Sequence, residues 1–268
     1  MCPLVWIRRL QAFGLSVVLS WLGLGLGSSL ARADEIRVIS SGGFTAAYRQ
    51  LVPLYEQASG HTVISSYGAS IGNAPDSIPS RLARGERFDV LILSDGGLEA
   101  LVQQGHVLPG SRVDLGRSLI GAAVRKGTPK PDIRTVDALR QALLDARSIA
   151  YSASASGTYL STELFARLGV AEQMQGKARR ILSERVGAVV ARGEAELGFQ
   201  QVSELLPFAE LDFVGTLPDE VQQAIFFSAG IGREAQAPQA ARHLVRFLAS
   251  PAAAPIVRST GLEPVGGR

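Results

Sequence analysis

Ile39-Ser40-Ser41-Gly42-Gly43-Phe44-Thr45-Ala46-Ala47-Tyr48 is the stretch whose reading decides the rest of the chain. An apolar, β-branched run at 36–39 enters a small turn of hydroxyls and glycines, and a helical pattern follows near Thr45. Strand, turn and helix in that order make the repeating unit of an α/β fold. The first N–H groups of a helix have no partner within it, and that end carries partial positive charge. Ser40, Ser41, Gly42 and Gly43 therefore outline an oxyanion site, with the glycines allowing close approach to the backbone. Tyr151-Ser152-Ala153-Ser154-Ala155-Ser156-Gly157-Thr158-Tyr159 repeats the chemistry between a second apolar run and a second helical pattern, which marks Ser154, Ala155 and Ser156. Two such loops facing one another would enclose a small anion.

Working outward, short β-branched runs alternate with helical periodicity along the whole chain. Strands are expected at 36–40, 62–66, 90–93, 120–125, 148–151, 197–200, 212–216 and 224–229, with helices between them, an alternation that argues for parallel strands. No internal repeat and no Pro/Ser-rich linker divides the sequence. With anion loops in both halves, the expected architecture is α/β with two lobes and a ligand cleft between them. One lobe would hold 34–117 and 227–268 and the other 118–226, the chain crossing between them through strands near 118–124 and 226–229.

Three further groups extend the candidate site. Tyr67-Gly68-Ala69-Ser70 is another glycine- and hydroxyl-rich strand exit, and ligands of open α/β sheets bind at the carboxyl ends of strands. Arg81, in a short helical stretch at 77–85, and Arg185, just before another at 186–191, each offer the planar two-point grip that a carboxylate accepts. Gln200 and Gln201 follow a strand exit at Gly198 and present paired amides. His61, His106 and His243 are isolated, and no zinc spacing, nucleophile elbow, phosphate loop or dinucleotide fingerprint occurs, so no metal and no cofactor is expected.

Residues 1–33 read as a secretory signal: Arg8 and Arg9, an apolar stretch over 12–26, and Ala31-Arg32-Ala33 as the cleavage motif. The leader holds three arginines and no acid, so its loss takes the formal net charge from +3 to zero and removes Cys2, the one cysteine. A near-neutral mature chain without basic runs argues against nucleic-acid binding and against membrane insertion. It also has no cysteine for a disulfide, and its 46% apolar composition must supply the core instead. The expected location is the periplasm.

At this point the pattern resembles the type II periplasmic solute-binding proteins, in the branch around the molybdate-binding components of ABC importers. The resemblance is carried by Ser40-Ser41-Gly42-Gly43-Phe44, Arg81-Leu82-Ala83-Arg84-Gly85-Glu86 running to Phe88-Asp89-Val90-Leu91-Ile92, Ala155-Ser156-Gly157-Thr158-Tyr159, Gly198-Phe199-Gln200-Gln201, and Phe247-Leu248-Ala249-Ser250-Pro251 near the end. It implies two lobes closing over an anion held by hydroxyls and amides at Ser41, Ser70 and Ala155. Gln201 stands where molybdate binders carry a tyrosine, and 72–77 looks like an added loop. Ser41-Gly42-Gly43-Phe44, Arg81-Leu82-Ala83-Arg84-Gly85-Glu86 and the stretch 198–207 resemble aconitate isomerases, which use this fold to interconvert trans- and cis-aconitate. That likeness implies an allylic proton shift on a tricarboxylate, and Tyr67, Tyr159 and Glu184 are the candidate bases by position. On the alternative reading, the chain delivers molybdate, sulfate or a small carboxylate to an ABC permease and needs no base.

Overall fold

The computed structural model describes residues 33–265; apart from Ala33, the leader lies outside the described residues. Eleven strands form two mixed sheets among the described residues. The first contains β1 (Glu35–Ser40), β2 (Thr62–Tyr67), β3 (Val90–Ser94), β4 (Val113–Ser118), β10 (Ile225–Ile231) and β11 (Glu263–Pro264), in the order β11-β4-β10-β3-β1-β2. The second contains β5 (Ile120–Arg125), β6 (Ile149–Ser152), β7 (Ala178–Ile181), β8 (Leu197–Gln201) and β9 (Leu211–Thr216), in the order β7-β6-β8-β5-β9.

The all-parallel expectation needs correction. β1 pairs in parallel with β2 and β3, and β6 does so with β7 and β8, but β10 is antiparallel to β3 and β4, and β5 is antiparallel to β8 and β9. The cause is the double crossing. The chain leaves the first sheet through β4, enters the second as β5 across Leu119, and returns from β9 to β10, so outgoing and returning strands run opposite ways. Ser118 and Ile225–Phe226 consequently lie in first-sheet strands, although the expected lobe boundaries put them with the second.

Burial explains why these segments are strands. β3 and β8 are buried along their full length, as central strands covered on both faces must be, whereas β1 alternates at its exposed start. One core packs Val38, Phe44, Leu51, Val90, Phe227 and Leu244 on the first sheet, and another packs Ile120, Leu139, Ile149, Leu164 and Phe199 on the second. The long helix α1 (Gly42–Ser59) ends at Gly60, whose φ of 73° is the left-handed turn that a residue without Cβ adopts most readily. A helical run from Ala155 to Arg167, with one π-helical turn at Leu160–Leu164, leaves β6 so tightly that a Cβ on Gly157 would stand 1.7 Å from the Ser152 carbonyl oxygen. None of the described helices is long and apolar enough to cross a membrane.

Candidate anion-binding cleft

Both sheets send the carboxyl ends of their parallel strands to one place. Ser41 to Gly43 follow β1, Tyr67 to Ser70 follow β2, Ser152 to Ser156 continue from β6, Ile181 to Arg185 from β7, and Gln200 and Gln201 end β8. They line a cleft of about 180 Å³, small beside the roughly 300–1,000 Å³ of drug-sized sites. Its ligand is accordingly a small molecule.

The lining is unusually rich in polar atoms without partners. Ser41 is 1% exposed and Gln201 2%, yet the Ser41 hydroxyl and both atoms of the Gln201 amide are buried without a hydrogen bond, as is Oδ1 of Asp76. Buried polar groups are nearly always paired, and an unpaired one costs about 1–3 kcal/mol. Concentrating them on one cleft suits a polar ligand that completes the bonding. Ser41 also precedes α1 without capping it through its side chain, which leaves the hydroxyl free. Ser70 accepts a bond from the Ser94 N–H at 3.0 Å and keeps its own proton to donate. The Ser152 and Ser156 hydroxyls pair at 3.1 Å, and Gln200 accepts from the Val186 N–H at 3.1 Å. Arg185, half-buried at the lip, forms no salt bridge among the described residues.

Three sequence candidates fall outside the cleft. Ser40 is fully buried at the end of β1, its hydroxyl turned to the Ser41 carbonyl at 3.3 Å. Arg81 donates to Glu86 Oε2 from Nε at 2.8 Å and Nη2 at 2.6 Å, and to the Tyr67 carbonyl, so it ties down the β2 exit from behind. Tyr159 is buried in the second core, donating to the Val221 carbonyl at 2.7 Å, and burial raises the pKa of its phenol. Helical and strand periodicity places a residue along an element but leaves open which surface a side chain reaches, and all three were read by position.

The remaining candidate bases border the cleft in occupied settings. Glu184 is exposed, with both oxygens taken by Arg192 at 3.1 and 2.9 Å. The Tyr67 ring lies beneath the Arg49 guanidinium, 4.7 Å from its centroid. The glycine pair also differs from expectation, because the space beside it is filled by protein. A Cβ on Gly42 would stand 1.9 Å from Glu204 Oε1, and one on Gly43 1.9 Å from the Phe227 ring.

Glu204 was missed in the sequence. It lies in the short helix Val202–Leu205 directly after β8, lines the cleft, and is 7% exposed. Burial pushes its carboxyl up to about 7, against the opposing pull of Arg185, the Gln201 backbone N–H and the Gln200 side chain. The helix is fastened across the lobes by the Ser203 hydroxyl, which donates to the Gly43 carbonyl at 2.6 Å. The available signal is the acid three residues past the paired amides, but sequence spacing alone does not tell which surface that acid faces. Asp76 and Thr45 also line the cleft unforeseen.

A family model described as bacterial extracellular solute-binding protein matches residues 36–263, nearly all of what the structure describes. The chain belongs to this family of solute-binding proteins. Within reach of it, an aconitate isomerase from a Pseudomonas species is 47% identical over 230 residues, 86% of this chain and 88% of that protein. The molybdate-binding protein ModA of Azotobacter vinelandii is 28% identical over 94% of this chain and 98% of its own. The solved structure of the periplasmic molybdate-binding protein from the same organism superposes with a TM-score of 0.68 at 23% identity, covering 85% of this solute-binding protein and 98% of that chain. The mixed two-sheet fold is thus shared with that solved structure.

Proposed function

We propose that this protein is a periplasmic aconitate isomerase, interconverting trans- and cis-aconitate by moving the C=C bond. The observation that carries the reading is the 47% identity to the Pseudomonas aconitate isomerase across 86% of this chain, a level at which a shared reaction is the expected consequence. The cleft has the chemistry the reaction needs. Ser41, Ser70, Ser154, Ser156 and Gln201, with Arg185, supply donors for three carboxylates, and the start of α1 adds its partial positive charge.

In aconitate an allylic shift removes a proton from the methylene carbon and returns one to the vinylic carbon. The C–H electron pair becomes the new double bond, and the old one becomes the new C–H bond. No electron or atom is gained or lost, so the protein needs only a proton carrier and donors aimed at the charge developing on the carboxylates. Serine hydroxyls and helix-terminal amides held rigidly in a small cleft fit that second requirement.

The second reading is a receptor that hands molybdate, sulfate or a small carboxylate to an ABC permease. The 28% identity to a molybdate-binding protein favours it, and the same donors would serve. The deciding experiment incubates residues 34–268 with trans-aconitate and follows cis-aconitate by chromatography, beside thermal shifts with aconitate, citrate, molybdate and sulfate. Turnover establishes the isomerase, whereas stabilisation by one anion without turnover makes the protein a receptor and names its cargo.

A further inference from the structure

We infer that Glu204 is the group that carries the proton between the two carbons of the substrate, an assignment that rests on the isomerase reading. Its carboxyl stands at the start of α1, where Gly42 has no side chain and Oε1 occupies the room a Cβ would take. The neighbouring cleft walls are the unpartnered Ser41 hydroxyl and Gln201 amide, so the group lies among the donors proposed to hold the substrate. Ser203 pins the helix to Gly43 from the other lobe, which fixes the carboxyl against the site rather than leaving it on a mobile loop.

A purely structural role accounts poorly for an acid here. Glu204 has no salt bridge among the described residues, is enclosed by protein, and is held closer to neutrality than an ordinary carboxyl. Glutamine would fill the same volume without the burden of burying a charge. Of the other acids that line the cleft, Glu184 is exposed and held by Arg192, and Asp76, with one unpartnered carboxylate oxygen, is less enclosed than Glu204; the Tyr67 ring is covered by Arg49. A proton carrier works best when its affinity for the proton matches the working pH, and burial brings Glu204 to about 7.

In the step, the ionised carboxylate takes a proton from the substrate methylene. The electron pair spreads over the three-carbon allyl unit and its carboxylates, where Ser41, Gln201 and the start of α1 meet it. Glu204 then delivers a proton, which exchanges with solvent while it rests on the carboxyl, to the former vinylic carbon.

The test uses the mature protein and its Glu204→Gln and Glu204→Asp variants, with trans-aconitate as probe. It reads isomerisation, deuterium uptake into the substrate in D2O, and calorimetric binding. Glu204→Gln is expected to lower kcat about a hundredfold to ten-thousandfold and to stop deuterium uptake, with binding kept within about threefold. Glu204→Asp is expected to lose at least about tenfold in kcat at similar KM, and wild-type kcat/KM should rise with pH through one ionisation that Glu204→Gln abolishes. If Glu204→Gln does not fold, the Asp variant and the wild-type pH profile decide. Variants with wild-type kcat, or a parallel loss of binding and turnover, overturn the assignment and leave the isomerase reading standing. A wild-type protein that binds aconitate but never turns it over overturns both.

Discussion

Gln201 is a buried amide whose side-chain nitrogen and oxygen have no hydrogen-bond partner, and Ser41, across the same cleft lining, is a helix-preceding serine whose side chain does not cap. Removing an unsatisfied buried polar group relieves its desolvation cost, whereas removing a cap that is in use costs about 1 kcal/mol, as expected at Thr135, whose hydroxyl accepts the Ala138 N–H at 3.1 Å. Gln201→Leu should therefore unfold at a higher temperature than wild type, and Ser41→Ala should be at least as stable as wild type. Both should weaken aconitate binding about tenfold or more, equivalent to about 1.4 kcal/mol. Differential scanning calorimetry and titration calorimetry on the same samples check the pair; a Gln201→Leu protein less stable than wild type would contradict the account.

Elements are held at this site by close approach, and glycine is the residue that permits it. The 155–167 helical run presses on β6 at Gly157, where a methyl group would stand 1.7 Å from backbone that has no freedom to move. Gly157→Ala should cost about 3 kcal/mol or more, read as a lower urea midpoint at unchanged slope. Gly42 works the same way between lobes, making room for the Glu204 carboxyl, and Gly43 within the first lobe, making room for the Phe227 ring. From sequence alone this pair reads as a ligand-facing loop, because glycine signals close approach without saying what approaches. Strands are legible where an apolar run stands out, as at 90–93, Val90-Leu91-Ile92-Leu93, which falls in β3. β4, β7 and β11 are not: Val113-Asp114-Leu115-Gly116-Arg117-Ser118 and Ala178-Arg179-Arg180-Ile181 carry too many polar residues to stand out, and pairing with neighbours makes them strands.

For the whole molecule, a buried carboxyl beside the cleft ties folding to pH. The Glu204 carboxyl lies above its ordinary value of 4.5 when folded, at about 7, so between those limits the folded chain holds a proton that the unfolded chain has released. Stability from this group is greatest below about pH 4.5, falls as pH rises to about 7, and is level beyond, a total of about 3 kcal/mol. Glu86 acts in the opposite sense, since hydrogen bonds from Arg81 hold its carboxyl low and its contribution disappears as the pH falls. Glu204→Gln should therefore be more stable than wild type at pH 8 and nearly equal to it at pH 4.5, measured by urea unfolding at both. An equal difference at the two pH values would show that Glu204 is not buried as a charge. The expected trade of stability for function resembles that at Gln201, because polar groups kept for a ligand forgo hydrogen bonds within the protein.

Local sequence suffices for the α/β class, for most of the strands and for the loops that line the cleft. Hydroxyls and glycines at strand exits are local signals, set by backbone geometry within a few residues. Only the tertiary structure decided that Arg81 serves Glu86, that Tyr159 belongs to a core, that returning strands run antiparallel, and that Glu204 sits beside Gly42. Each depends on which surfaces meet after the chain has crossed twice between sheets, and a contact between residues some 160 positions apart leaves no mark on the periodicity of either segment.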